Sequence, residues 1–205
     1  MKKQLIFLVL ALTLTSLNAL AQDNYFYIAY DVSKPTSNGW LEATNSRGWR
    51  MGYHGFLNSG NRISVGLDVN WSQFDQYQPY ETYPSSNGAT STDYFKYIYQ
   101  YGATVTGHYY FPVGNGEILF PFAGLGLGAN YNEYLIYYNV NTFGEKKWGF
   151  VTRPEAGILI RFGAGRSLGA LAAVHYDFST NSSDQFDVSN FSAVGFRVGL
   201  MFMDR

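Results

Sequence analysis

The chain lacks cysteine, is poor in charge, and beyond its first residues has no long apolar run. Without cysteine there is no disulfide framework, thiolate metal site or lipidated cysteine, so stability rests on packing and hydrogen bonds. Charged residues make up only 14% of the 205 and form no basic patch, which argues against nucleic acid as a partner. After residue 21 nothing approaches the roughly 20 apolar residues of a transmembrane helix. If the mature chain spans a membrane, it must do so as a closed barrel, since the backbone of any other sheet would be left unsatisfied in hydrocarbon. No Pro/Gly/Ser-rich linker divides the sequence, and one domain is expected.

The first 21 residues read as a secretory signal peptide: Lys2 and Lys3, the apolar run Leu5 to Leu14, and Ala19-Leu20-Ala21 before Gln22. Its removal takes two lysines from 14 basic and 15 acidic residues, leaving 12 and 15, a formal charge of −3. Residues 22–205 are expected to form the barrel.

What remains is rich in strand formers: 18 Tyr, 16 Phe and 22 Gly. In "RISVGLDVNWSQF", Ile63, Val65, Leu67, Val69 and Trp71 alternate with Ser64, Gly66, Asp68, Asn70 and Ser72, the period of a half-buried strand. Such alternation predicts eight strands near Tyr25–Val32, Gly48–Leu57, Arg62–Gln73, Phe95–Phe111, Leu119–Tyr131, Trp148–Phe162, Leu168–Phe178 and Phe191–Met203. Short Gly-rich connections (Asn58–Asn61, Val113–Glu117, Gly163–Arg166) alternate with long polar ones (Ser33–Arg47, Tyr77–Tyr94, Asn132–Lys147, Ser179–Asn190). The fold expected is therefore all-β: an eight-stranded antiparallel up-and-down transmembrane barrel.

Orientation follows from where the charges fall. Asp31, Arg50, Arg62, Asp68, Lys96, Arg153, Glu155, Arg161, Asp177 and Arg197, with His54, His108 and His175, all lie in the phase opposite to the apolar one. That phase also holds small residues such as Gly124, Gly126 and Gly128, which suit a narrow lumen. Aromatics of the apolar phase gather toward strand ends, among them Trp71, Tyr109, Phe111, Tyr131, Trp148 and Phe162, as in an interfacial girdle. The apolar phase is thus expected to face lipid, and Asp68 the lumen.

The signal peptide, the eight strands, the loop alternation and the last strand "FSAVGFRVGLMF" together resemble the small outer-membrane barrels of the OmpA transmembrane domain and OmpX class. The resemblance implies residence in the bacterial outer membrane, contact with its lipid, and handling by the barrel-assembly machinery. It also implies that the alternating Val194, Phe196, Val198, Leu200 and Phe202 carry the assembly signal. Met203, Asp204 and Arg205 follow Phe202, so that signal would lie slightly inside the terminus.

Charges removed from water need partners. A three-residue turn Asn58-Ser59-Gly60 would set Arg50 opposite Asp68, and the next short hairpin would bring Arg153 and Glu155 beside His175 and Asp177. With Arg197 these form the expected lumen polar network. "VHYDFSTN" offers His175, Asp177 and Ser179, superficially a hydrolase set, but all three share the inward phase, whereas an enzyme acting on lipid needs its nucleophile on the outer face. "GLGLG" lies inside a strand with no helix following, and reads as lumen packing rather than a phosphate loop. The three histidines lack the spacing of a metal site. No catalytic, cofactor or metal residue is assigned. Trp40, Tyr77, Tyr80, Tyr83, Phe143 and Phe186 suit either a recognition surface for a protein or glycan or an extension of the girdle.

The function expected is a non-enzymatic barrel with a side-chain-filled lumen, serving envelope integrity, adhesion or partner binding. Two alternatives stand beside it: a lipid-modifying outer-membrane enzyme, and a soluble lipocalin-like barrel with the apolar phase inside.

Overall fold

The computed structural model describes residues 23–36, 40–57, 62–85, 88–111, 113, 118–138, 141–163 and 167–204. The expected signal peptide and the tips of the short turns lie outside the described residues. Eight antiparallel strands close on themselves in chain order: β1 (Asn24–Pro35), β2 (Asn45–Phe56), β3 (Ile63–Ser85), β4 (Gly88–Tyr110), β5 (Leu119–Tyr138), β6 (Asn141–Arg161), β7 (Leu168–Ser179) and β8 (Phe191–Asp204).

The pairing ladder fixes the barrel's geometry. From Phe26 the cross-strand partners run through Tyr53, Leu67, Val105, Leu127, Thr152, Phe178 and Ser192. They return to the first strand where Thr36 donates its N–H to Ser192 O, ten residues beyond the start. Eight strands with a stagger of ten tilt by roughly 40–45° and leave an interior only wide enough for side chains.

The outer face is apolar. Ile28, Leu67, Val69, Val105, Leu125 and Val198 are each between 41% and 54% exposed, while the non-glycine side chains between them are buried. Leaving that much aliphatic surface in water is unfavourable in proportion to its area, so it suits hydrocarbon. A lipocalin-like arrangement would place the same residues inside, and the structure excludes it.

Two expectations are corrected. The connections Tyr77–Tyr94 and Asn132–Lys147 are for the most part paired strand: the β3–β4 ladder continues to Ser85 and Gly88, with an irregularity between Gln78 and Glu81, and β5–β6 continues to Tyr138 and Asn141. Apart from Leu135 and Ile136, polar and aromatic residues prevail on both faces of these extensions, so the alternation that marks lipid contact stops while the strand goes on. The inward phase, moreover, is not polar throughout. Tyr25, Phe56, Tyr110, Phe122, Leu159 and Met201 form an apolar floor at the short-turn end. Leu41, Phe74, Ile98, Tyr134, Val188 and Phe191 form a second apolar layer at the opposite end, against which Trp40 and Phe186 pack.

Candidate functional site

Between the two apolar layers lies a buried polar layer. Its members come from alternate positions of β1–β4 and β6–β8, while β5 contributes Gly124, Gly126 and Gly128. Arg50 reaches across the lumen: its Nη2 lies 3.0 Å from Asp31 Oδ2 and 3.6 Å from Asp177 Oδ2, and its Nη1 3.9 Å from Glu155 Oε2. Arg153 forks onto Asp177, with Nη2 donating at 3.1 Å to Oδ2 and at 2.9 Å to Asn70 Oδ1. Arg197 donates to Glu155 at 2.9 Å and to Tyr27 OH at 3.1 Å, its guanidinium 5.0 Å over the Tyr27 ring.

Each histidine stands beside a carboxylate: His54 beside Asp68 at 2.9 Å, His108 beside Glu155, and His175 between Asp31 at 3.1 Å and Asp177 at 3.4 Å. The rings of His54 and His108 stack at 4.7 Å. Every one of these carboxylates and guanidinium groups is at least nine-tenths buried. Charges so placed persist only through mutual pairing.

The network contains Arg50, Asp68, Arg153, Glu155, His175, Asp177 and Arg197, with one pairing different from that expected. Asp68 faces Gly52 rather than Arg50, and Arg50 faces Asn70. Leu57 N–H donates to Ile63 O at 2.9 Å, so the β2–β3 connection is two residues longer than a three-residue turn. A slip of two leaves every side chain on its own face but exchanges its partner. Asp68 instead accepts from Tyr27 OH at 2.8 Å and contacts His54. Glu155 lies opposite His175 on β7.

Asp31, the carboxylate nearest Arg50, was not among the expected network residues, because it enters through closure of β1 on β8, where it pairs with Arg197. Its inward phase was the available signal. Ser179 does not join His175 in a catalytic chain. Its hydroxyl hydrogen-bonds Asn130 Oδ1 at 3.2 Å and Asn181, while His175 engages Asp31 and Asp177. Among the described residues no three His, Asp or Glu side chains are arranged to hold a metal ion.

Above the lumen, residues 40–44 and 180–190 fold over the mouth. Trp40 packs on Phe186 at 5.3 Å and on Tyr134 at 5.8 Å, and the Lys96 ammonium donates to Trp40 O at 3.0 Å. Outside the barrel, Tyr30, Trp49, Trp71, Tyr101, Tyr131 and Trp148 are successive cross-strand partners from β1 to β6. Because the strands tilt, five steps of about 4.8 Å carry this aromatic row upward by about 15 Å as it circles the barrel. On β8, Val198, Leu200 and Phe202 face outward.

No protein-family model matches this chain, and no curated protein matches it in sequence. Its structure is similar to that of neisserial surface protein A, at 15% identity and TM-score 0.54, over 88% of this chain and 96% of that one. It is also similar to Ail, the attachment invasion locus protein of Yersinia pestis, at 12% identity and TM-score 0.53, over 89% and 98%. A structure of Ail in complex with the heparin analogue sucrose octasulfate matches at 15% and 0.51, over 89% and 98%. The likeness shows the fold: the chain has the small eight-stranded barrel architecture of the OmpA/OmpX-like class.

Proposed function

We propose that this chain is an integral outer-membrane barrel that carries out no chemistry, and that its projecting hairpins act in adhesion, partner contact or envelope integrity. The observation that carries the reading is its radial order: aliphatic outside, a closed ion-pair network inside, apolar layers above and below that network. A lipid-modifying enzyme would need a Ser/His pair facing lipid, but His54, His108 and His175, all the histidines of the sequence, are buried in the lumen. The outward Val198, Leu200 and Phe202 serve as the signal read by the assembly machinery.

Ail's complex with a heparin analogue makes a glycan a reasonable class of ligand here too, though not a sulfated one. The described residues of 33–47, 75–97, 132–147 and 180–190, at the loop end, include eight acidic and five basic side chains. A polyanion would meet net repulsion there.

Detergent extraction of fractionated membranes, combined with a phospholipase and lipid-acylation assay on the reconstituted protein, tests the reading. Recovery in the outer-membrane fraction with no turnover is expected. Release in the soluble fraction, or turnover abolished by His175→Ala, would overturn it.

A further inference from the structure

The outward face of the β3–β6 extension carries rings where the lipid-facing belt should already have ended. Tyr77 and Phe95 lie 5.0 Å apart, Phe95 and Tyr97 6.1 Å, Tyr97 and Tyr137 5.2 Å, and Tyr97 and Tyr99 stack at 6.0 Å. Below them Tyr101, Tyr131 and Trp148 continue the array at 6.2 and 5.1 Å. Tyr77 is 50% exposed, Phe95 40%, Tyr101 48% and Trp148 75%, with Tyr97 and Tyr99 half-buried among them. An apolar belt of such a barrel is about 25 Å tall. Counted along strands rising about 2.4 Å of membrane depth per residue at this tilt, Tyr97, Phe95 and Tyr77 stand above the hydrocarbon while remaining continuous with its edge.

The polar groups around the array limit what it can bind. Glu133 is already paired with Lys146 at 3.2 Å and Asp75 with Arg47 at 3.8 Å, and Tyr77 OH donates to Asp93 at 3.2 Å. The cations are thus engaged, which disfavours a phosphate, while the carboxylates retain acceptor capacity for hydroxyl groups. Flat rings beside carboxylates match a pyranose, which presents one C–H face and a rim of hydroxyl donors. The face points sideways into the plane of the membrane rather than upward.

We propose that this aromatic strip docks the neutral saccharide headgroup of a glycolipid in the same leaflet, the sugar face stacking on Tyr97 and its neighbours and the hydroxyls donating to Asp75, Asp93 or Glu133. The proposal rests on the membrane reading above.

Full-length protein is reconstituted in phosphatidylcholine nanodiscs containing a minor fraction of digalactosyl diacylglycerol, and saturation transfer from aromatic ring protons to sugar protons is measured. Compact, heat-modifiable electrophoretic mobility checks insertion separately, so a failure to insert condemns the membrane reading and a failure of transfer condemns only the strip. Transfer to galactose ring protons is expected. It should fall several-fold in Tyr97→Leu combined with Phe95→Leu and be retained in Tyr97→Phe, which keeps the ring and the fold. Three results would overturn the proposal: no transfer in the inserted wild type, equal transfer to free galactose and to the glycolipid, or preferential enrichment of phosphatidylglycerol when that lipid is offered instead.

Discussion

At the scale of single residues, the lumen is organised by large polar side chains laid across small ones. Asp68 stands opposite Gly52, and a Cβ at Gly52 would overlap both the Asp68 carboxylate and the Tyr27 ring. Gly52→Ala therefore forces the Tyr27–Asp68–His54 cluster to shift, and a loss of about 1–3 kcal/mol is expected from overpacking, read by urea unfolding in lipid vesicles. Partner identity is testable in the same assay. Asp31→Ala leaves Arg50 without its nearest carboxylate and should cost on the order of 3–5 kcal/mol. Combined with Arg50→Ala, the losses should fall short of additive by about 0.5–3 kcal/mol. The Arg50→Ala and Asp68→Ala pair should couple more weakly, because no direct contact joins them. Equal coupling in the two cycles would contradict the register. On the opposite face, Val69→Arg places a charge against hydrocarbon and should cost roughly 2–4 kcal/mol, with Val69→Leu near neutral.

At the scale of elements, the upper edge of β6 extends beyond the end of β7, and the segment after β7 covers it. Phe150 N–H donates to Thr180 Oγ1 at 2.9 Å, Thr180 N–H donates back to Phe150 O at 2.9 Å, and Asn181 Nδ2 donates to Lys147 O at 2.8 Å. Ser183 Oγ donates to Glu145, which also holds Lys147 at 2.8 Å. The Lys147 ammonium, followed by the Ser183 hydroxyl, holds the Glu145 carboxyl below the usual carboxylate range. A carboxylate lowered in the folded state contributes above its unfolded pKa, about 4.3 for Glu. That contribution is lost as pH falls through the lowered folded value. Acidification below about pH 4 should thus lower amide protection across 181–188, read as exchange relative to the intrinsic rate at each pH, and Glu145→Gln should flatten that dependence. An unchanged profile in the variant would remove Glu145 from the contacts that hold this segment on the β6 edge. Strand number, order and facing were legible from alternation and from the spacing of the Gly-rich turns. The upper ends of β3–β6 were not, because above the lipid both faces meet polar surroundings and the pattern that encodes a strand disappears. Asp31 was legible as an inward charge but not as the partner of Arg50, since that contact depends on closure of the first strand on the last.

At the scale of the whole molecule, three layers in series block the lumen. The Tyr25–Phe122 floor and the Leu41–Phe191 layer are apolar seals, and the charged layer between them spans the lumen with guanidinium–carboxylate contacts. Water-filled porins use roughly 16–18 strands, twice the number here. Purified protein in planar bilayers is therefore expected to show no steady, porin-sized conductance. The layered order makes a stronger demand on variants. Asp177→Ala releases the Arg153 fork and one contact of Arg50, which would widen a channel gated only by its ion pairs. Because apolar seals remain above and below, that variant should stay closed, with brief flickering at most. Conduction should require truncating a seal as well, as in Phe191→Ala combined with Asp177→Ala. A steady current from wild type, or from Asp177→Ala alone, abolished when the barrel is heat-unfolded, would show that the apolar layers do not seal and would make transport the leading function.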